Sequence, residues 1–248
     1  MEKFAFVTGG VGQIGKAICQ QLACQGYQVI FTYRDSESSN QRAEELLTSL
    51  PGRGHQGMQV DITDVAGYER AVDDLVKSIG HLDLLVNCAG TTQFVAPENL
   101  DGLDEGLIDR IFQVNVRAAI TSVRLLVPLL NRAPGGGCIV NISSIAARTA
   151  NGSNIAYCAS KAAMDNLTLS LARALGPSIR VFSVSPGLAD TDFVKGVDTS
   201  WRDEQCEKTP LKRLVTPEEV ANAVVLTTEG LTFSTGAIIP VDGGRPLN

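Results

Sequence analysis

The chain has 248 residues, of which 44% are hydrophobic and 19% charged, and its formal net charge at pH 7 is −6. This length suits one large α/β domain, and the composition is ordinary for a globular protein. The acidic balance argues against nucleic acid or an anionic membrane surface as a partner. No apolar run approaches the roughly 20 residues of a membrane span.

The cysteines and the first residues of the chain indicate a cellular location. The six cysteines are scattered without a Cys-x-x-Cys pair, and only two histidines accompany them. Such a set lacks the spacing of metal-binding ligands, so we expect no metal and buried, reduced thiols. Residues 1–10 begin directly with a strand-like run and lack the apolar segment of a signal peptide. We therefore expect a cytoplasmic protein.

Apolar runs alternate with amphipathic segments along the whole chain. The predicted strands are Phe4–Val7, Gln28–Tyr33, Gly57–Val60, Leu82–Val86, Cys138–Ile142, Ile179–Val184 and Ala237–Val241. The predicted helices are Ile14–Cys24, Gln41–Leu50, Val65–Ile79, Leu107–Leu130, Tyr157–Leu175 and Pro217–Leu226. Short strands that are apolar on both faces, with helices between them, predict a parallel sheet covered on both sides. Residues 1–248 are thus predicted to form a single Rossmann-type, doubly wound domain of about seven strands.

A glycine-rich turn follows the first predicted strand and leads into the first predicted helix. Its sequence from Thr8 is Thr-Gly-Gly-Val-Gly-Gln-Ile-Gly. Glycines at this place let the backbone turn sharply and approach a pyrophosphate at the helix N-terminus. The turn therefore predicts a dinucleotide site formed by Gly9, Gly12, Gln13, Ile14 and Gly15, with a purely structural turn as the alternative.

A second motif combines a phenol with an ammonium group. Tyr157 and Lys161 are four residues apart in a predicted helix, so they share one helix face. A nearby positive charge favours the phenolate, and we expect it to lower the Tyr157 pKa from about 10 towards working pH. Taken alone, such a pair is more often an ordinary exposed helix face.

With these motifs in one chain, the sequence resembles the short-chain dehydrogenase/reductase family over essentially its whole length, especially 3-oxoacyl-(acyl-carrier-protein) reductase-like members. The family pattern Thr-Gly-x-x-x-Gly-x-Gly places its middle glycine at Gln13, and Gly12 is expected to supply the missing flexibility. The resemblance assigns catalysis to Ser144, Tyr157, Lys161 and Asn115, with Ser143 as the alternative serine. Asn in a helix interior is intrinsically unfavourable, so we expect Asn115 to have a specific role there.

The resemblance also implies how a cofactor is held. Asp61 and Ile62 correspond to the adenine contacts, and Cys88 replaces the second Asn of the family's Asn-Asn-Ala-Gly segment. Phe182 stands where the family often has Asn. The remaining implied contacts are Asn87, Ala89 and Gly90 at the ribose, Tyr157 and Lys161 beside the nicotinamide, and Pro186, Gly187, Ala189 and Thr191 at the carboxamide.

The end of the second predicted strand bears on the choice of dinucleotide. Tyr33 falls on the position where NAD-binding members carry an acidic residue, and Arg34 follows it. An Arg at this place accommodates a 2′-phosphate, so the pattern predicts NADP(H). If Arg34 is instead paired with Asp35, NAD(H) remains open.

Three segments are expected to shape the substrate pocket. Phe193–Pro210 carries Trp201, the one tryptophan, and corresponds to a segment that closes over substrate in the family, with a plain surface loop as the alternative. Gln93–Leu103 and Ile145–Ile155 are the other candidate walls. The resemblance further implies a homotetramer, or a homodimer, formed through the helices of Asn115 and Tyr157 and through the last strand with its preceding helix.

The leading hypothesis is an NADP(H)-dependent reductase of a small-molecule ketone, aldehyde or 3-oxoacyl group. An NAD-dependent alcohol, sterol or sugar dehydrogenase is the second. A non-catalytic dinucleotide-binding protein is the third, because a fold does not fix a function.

Overall fold

Seven parallel strands form one sheet in the computed structural model, which describes residues 2–191 and 199–247. The strands are β1 Lys3–Val7, β2 Tyr27–Tyr33, β3 Gln56–Gln59, β4 Leu84–Asn87, β5 Gly137–Ile142, β6 Ile179–Pro186 and β7 Ala237–Val241. Their order is β3-β2-β1-β4-β5-β6-β7, with every neighbouring pair parallel. The order reverses between β1 and β4, and such a switch point opens a crevice at the carboxyl ends of the strands.

Helices cover both faces of this sheet. They are α1 Gln13–Cys24, α2 Glu37–Ser49, α3 Val65–Ser78, α4 Glu105–Phe112, α5 Ala118–Leu130, α6 Ala146–Thr149, α7 Ile155–Leu175, α8 Thr199–Glu207 and α9 Pro217–Val225. A π-helical segment, Gln113–Arg117, joins α4 to α5, and another, Leu226–Gly230, follows α9. Within the described ranges, none of the helices is both long and apolar enough to cross a membrane.

Alternate strand residues enter two separate cores. Ala5 and Val7 of β1 pack with α1, α2 and α9, whereas Phe6 between them packs with α3, α5 and α7. This alternation is the period of two that a strand imposes on its side chains. Both faces of the central strands are therefore apolar, as the sequence predicts for a covered parallel sheet.

The predicted fold class is confirmed, and each predicted strand is present with small differences at its ends. Two predicted helices differ more. The helix expected from Gln41 begins at Glu37, because the Ser36 hydroxyl caps it by accepting from the Ser39 amide at 3.2 Å. The single helix expected over Leu107–Leu130 begins at Glu105 and contains the π segment.

The expected lid is only partly within the described residues. Its portion 193–198 lies outside them, whereas α8 occupies Thr199–Glu207. Trp201 on α8 is partly exposed and lines a large cleft at the carboxyl edge of the sheet. Residues 199–207 are therefore helical, and their role as a lid over the substrate stays a prediction.

Candidate active site

A cleft of about 1130 Å³ lies at the carboxyl edge of the sheet, at the switch point. Segments following β1, β4, β5 and β6 contribute Ile14, Cys88, Ser144 and Gly187 to its wall. Tyr157, on α7, also lines it. Parallel strands bring residues that are distant in sequence to this one edge.

Helix α7 owes its starting point to Asn154. The Asn154 side-chain oxygen accepts a hydrogen bond from the Tyr157 amide at 2.6 Å. Its side-chain nitrogen donates to the Gln93 carbonyl at 2.7 Å and to the Thr92 hydroxyl at 3.2 Å. Asn154 thus fixes the turn that carries Tyr157 and ties it to the segment after β4. Asn154 was not among the predicted site residues, although Asn before a helix is a strong capping signal.

Lys161 is buried one turn after Tyr157. Its Nζ donates to the Ile142 carbonyl at 2.8 Å and lies 5.6 Å from the centroid of the Tyr157 ring. The Ser143 hydroxyl donates in turn to the Lys161 carbonyl at 3.2 Å, so the end of β5 and α7 are bonded twice. Burial lowers the Lys161 pKa to about 8, against the opposing influence of Cys88 and Asp165.

The expected lowering of the Tyr157 pKa is wrong for this structure. Burial raises the Tyr157 pKa, and a hydrogen bond with Ser144 opposes that rise only in part. The cost of removing a phenolate from water therefore outweighs the stabilisation that Ser144 offers. A raised pKa favours the protonated phenol, which is the form that can donate a proton.

The structure brings Ser144, and not Ser143, to Tyr157. The Ser144 hydroxyl is near enough to the phenol to oppose the rise of the Tyr157 pKa, and it accepts from the Ala146 amide at 3.2 Å. The Ser143 hydroxyl is buried and directed to the backbone of Lys161. The two serines therefore have separate structural roles.

Asn115 is buried in the π-helical segment, and its side chain forms hydrogen bonds with the backbone of Thr91. Its oxygen accepts from the Thr91 amide at 2.8 Å, and its nitrogen donates to the Thr91 carbonyl at 3.1 Å and to the Ser160 hydroxyl at 3.0 Å. A Cβ built on Gly90 would lie 3.5 Å from the Asn115 oxygen and 3.7 Å from Lys161 Nζ. These contacts explain an Asn inside a helix and place it beside Lys161.

The glycine-rich turn fits a bound pyrophosphate. Gly9 has φ +71, and a Cβ there would lie 3.0 Å from the Ala89 Cα. Gly12 is the N-cap of α1 and therefore offers no capping side chain, and no residue in the first turn is acidic. The N-terminus of α1 is consequently open to an anion.

The expectation that Gly12 supplies flexibility is wrong. Its φ of −72 and ψ of 157 describe extended backbone that any residue adopts. Glycine is instead required at Gly10, which was not among the predicted site residues and where a Cβ would collide with the Phe31 side chain. Thr8 was also missed: its hydroxyl accepts from the Cys88 amide at 3.0 Å and from the Ala89 amide at 3.1 Å.

The carboxyl ends of β2 and β3 border a second depression, of about 640 Å³. Arg34 is exposed there, beside Asp61. Burial disfavours the Asp61 carboxylate, but two hydrogen bonds from Thr63 and the charge of Arg34 hold its pKa below the usual range. The Asp35 carboxylate accepts from Gln59 at 2.7 Å and from Asn40 at 3.3 Å. Within residues 2–191 and 199–247, the alternative ion pair between Arg34 and Asp35 is not found.

The other predicted cofactor residues lie around the main cleft or behind it. Asn87 is buried and donates to Asn141 at 2.8 Å, and its amide oxygen has no partner among the described residues, an arrangement that a ligand hydroxyl or a water would relieve. Ile62 is also buried, and Tyr33 packs against Phe31 at the end of β2. The predicted residues that line the main cleft are Ile14, Gly90, Ser144, Tyr157, Lys161, Pro186, Gly187, Ala189 and Thr191.

A doubly wound sheet with this first turn, and with Ser144, Tyr157 and Lys161 grouped at one cleft, defines a dinucleotide-dependent oxidoreductase. A family model described as enoyl-(acyl carrier protein) reductase matches residues 10–245. The chain belongs to the short-chain dehydrogenase/reductase family, whose members act on CH–OH and C=O groups.

Individual relatives match over nearly the full chain. Cis-4-hydroxycyclohexanecarboxylate dehydrogenase of Sinomonas cyclohexanicum is 34% identical over 247 residues, covering 98% of this chain and 96% of the relative. The 3-oxoacyl-(acyl-carrier-protein) reductase FabG of Aquifex aeolicus is 32% identical over 246 residues, with coverages of 98% and 96%. The solved structure of ElxO with NADP bound is 26% identical, covers 100% of both chains and has a TM-score of 0.90.

The burial of Lys161 is expected to make stability depend on pH. Its pKa in the fold, about 8, lies below the ordinary value of 10.5. Between these values the unfolded chain binds the extra proton, so the free energy of unfolding rises with pH. Between pH 8 and pH 10, the free energy of unfolding from urea titrations should rise by roughly 1–2 kcal/mol more in wild type than in Lys161→Met.

The exposed Lys16 on α1 provides the control for that experiment. Lys16→Met should follow the wild-type dependence, because it leaves the buried ammonium in place. Equal pH dependence in wild type and Lys161→Met would contradict the expectation.

Proposed function

We propose that the protein is an NADP(H)-dependent reductase that converts a ketone, aldehyde or 3-oxoacyl group into an alcohol. The observation that carries this proposal is the presence of the Ser144 and Tyr157 hydroxyls at one cleft, near enough for Ser144 to influence the Tyr157 pKa, with the buried Lys161 one turn away. Two hydroxyl donors beside each other suit a single carbonyl oxygen. The printed name of the Aquifex aeolicus relative, a 3-oxoacyl reductase, agrees with this chemistry.

The chain's own residues would supply and stabilise the proton. Bound NADPH would provide the hydride for the carbonyl carbon. Tyr157 Oη would donate its proton to the carbonyl oxygen, and Ser144 Oγ would donate a hydrogen bond to the same oxygen as charge develops there. Lys161 Nζ would stabilise the phenolate left behind and bind the nicotinamide ribose. Asn115 would support a water chain that returns a proton through Lys161.

The cofactor would extend along the carboxyl edge of the sheet. Arg34 would bind the 2′-phosphate. Two observations support NADP(H): the Asp35 carboxylate is bonded to Asn40 and Gln59 rather than to Arg34, and the related structure of ElxO has NADP bound. The other proposed contacts are Gly9, Gly12, Gln13, Ile14 and Gly15 at the pyrophosphate, Tyr33, Asp61 and Ile62 at the adenosine, Asn87, Ala89 and Gly90 at its ribose, and Pro186, Gly187, Ala189 and Thr191 at the carboxamide.

A dehydrogenase working in the oxidative direction is the second candidate function. The name of the Sinomonas cyclohexanicum relative favours it, because that protein is described as a hydroxy-acid dehydrogenase. The same residues serve both directions, with Tyr157 then accepting the proton. Turnover in either direction would exclude the third hypothesis, a non-catalytic binding protein.

We further propose a homotetramer. Large apolar side chains are exposed on the helical faces expected at one interface, Phe112, Ile120 and Leu169, and near the last strand, Leu226 and Phe233. Burial of such surface favours association. Sedimentation velocity should give a tetramer; a dimer would leave one face unused, and a monomer would contradict the proposal. The cytoplasmic location stays a prediction.

Tyr157→Phe tests the proton donor. The substitution keeps the ring but removes the hydroxyl, so kcat should fall by about a thousandfold while NADPH affinity changes less than about twofold. Steady-state kinetics and fluorescence titration measure the two quantities. The control is Tyr68→Phe, which removes a buried hydroxyl bonded to Ser122, away from the cleft, and should keep kcat. Unchanged turnover in Tyr157→Phe would refute the assignment.

Arg34→Ala tests the cofactor. Wild type should bind NADPH at least tenfold more tightly than NADH, and the variant should lose that preference because a charged 2′-phosphate contact is gone. Arg53→Ala, at an exposed arginine in another loop, is the control and should keep the preference. Equal affinities of the wild type for NADPH and NADH would show that Arg34 does not bind a 2′-phosphate, and would favour the NAD-dependent dehydrogenase.

A further inference from the structure

The cleft is lined by cations in a chain that is acidic as a whole. Arg148, Lys161, Lys208 and Arg245 are among its lining residues, and no Asp or Glu is found in the described part of the lining. The net charge of the chain is −6. Lys161 belongs to the catalytic group, but the other three cations have no part in the proposed carbonyl reduction.

Arg148 stands at a fixed position relative to Ser144. It lies on α6, which begins two residues after Ser144 and ends at Thr149, just before Ala150, whose φ is 55. The Ser144 hydroxyl accepts from the Ala146 amide, so serine and helix share one rigid turn. The Arg148 side chain is half exposed.

The guanidinium of Arg148 is only weakly compensated. Its carboxylate partner is Asp242, at 4.0 Å, the outer limit of an ion pair. The other oxygen of Asp242 accepts from the Gly244 amide at 2.9 Å. No hydrogen bond from the Arg148 guanidinium is found to any residue that the structure describes. Its donors are therefore available to a ligand.

Arg245 lies close to the same place, because its amide donates to the Asp242 carbonyl at 3.2 Å. Its guanidinium donates to the Gln205 carbonyl at 2.8 Å, to the Gln205 side-chain oxygen and to the Thr209 hydroxyl at 3.3 Å, all of them neutral acceptors. Arg245 thus brings positive charge that no carboxylate offsets in the described residues. Lys208 differs, since Glu204 neutralises it at 2.6 Å.

We propose that Arg148, supported by the charge of Arg245, binds an anionic oxygen group, a carboxylate or a phosphate, on the carbonyl substrate. This inference rests on the proposed function. The cofactor does not account for these cations, since its phosphates belong at the turn after β1 and at Arg34 after β2. Arg148 follows β5 and Arg245 follows β7, on the other side of the switch point.

The cleft also offers apolar surface for the rest of such a substrate. Phe94 and Trp201 line the same cleft and are both partly exposed. They can cover a hydrocarbon segment that separates the carbonyl from the anion. The substrate class is therefore an oxo acid or oxo phosphate with an apolar body.

Matched ketones test this inference in the NADPH-loaded enzyme. The probes are 4-oxocyclohexanecarboxylate, 4-oxocyclohexyl phosphate and the neutral 4-oxocyclohexanecarboxamide. In wild type, kcat/KM for at least one anion should exceed that for the amide by about tenfold or more, as expected for a charge-assisted contact. Arg148→Gln should bring that ratio close to one. Arg132→Gln, at an exposed arginine outside the cleft, should preserve it.

A binding measurement by calorimetry needs no turnover. It compares two non-reacting anions, cyclohexanecarboxylate and cyclohexyl phosphate, with the neutral cyclohexanecarboxamide. Anion binding that is lost in Arg148→Gln, with none of the ketones reduced, would support the anion site and contradict the reductase. Reduction of all three ketones at similar rates, or an anion preference that survives in Arg148→Gln, would overturn the anion site and leave the reductase standing. The anion with the larger ratio identifies the group.

Discussion

The candidate active-site cleft depends on a buried ammonium group. An isolated charge in a protein interior is strongly unfavourable unless hydrogen bonds compensate it. Lys161 meets this requirement at the end of β5, where the Ile142 carbonyl accepts from Nζ. That bond and the return bond from Ser143 hold α7 against β5. Because Tyr157 is one turn earlier on α7, the constraint on Lys161 also places the phenol beside Ser144.

A chain of buried amides and hydroxyls extends this constraint across the sheet. Asn87 on β4 donates to Asn141 on β5, which donates to Thr168 on α7 at 2.9 Å. Ser183 on β6 donates to Asp165 on the same helix, also at 2.9 Å. Buried polar groups tolerate few alternative arrangements, so such a network specifies one packing of helix and strands. The positions of β4, β5 and β6 around the cleft are therefore fixed by polar as well as apolar contacts.

Sequence patterns predicted the strands and the catalytic grouping, but they failed where the three-dimensional environment decides. Continuous apolar runs identify covered strands, so every strand was found, and the resemblance to the family pointed to Ser144, Tyr157 and Lys161, which the fold brings to one cleft. The π segment around Asn115 was missed, because a π turn is rare and occurs inside a helix that is otherwise α-helical. The Tyr157 pKa was misjudged for a related reason: sequence shows the neighbouring lysine but not the burial that opposes ionisation.

The cleft also shows why the net charge of a chain is a poor guide to its site. Acidic residues near the cleft are paired with basic side chains, Asp190 with Arg202 at 2.7 Å and Glu204 with Lys208 at 2.6 Å. Arg148 and Arg245 line the cleft without a close carboxylate partner among the described residues, and the concave shape of the cleft focuses their electric field. Positive charge therefore stands at both ends of the binding region, at Arg34 and at Arg148. Two anionic groups held at these ends would leave the neutral carbonyl between them, where Ser144 and Tyr157 present their hydroxyls.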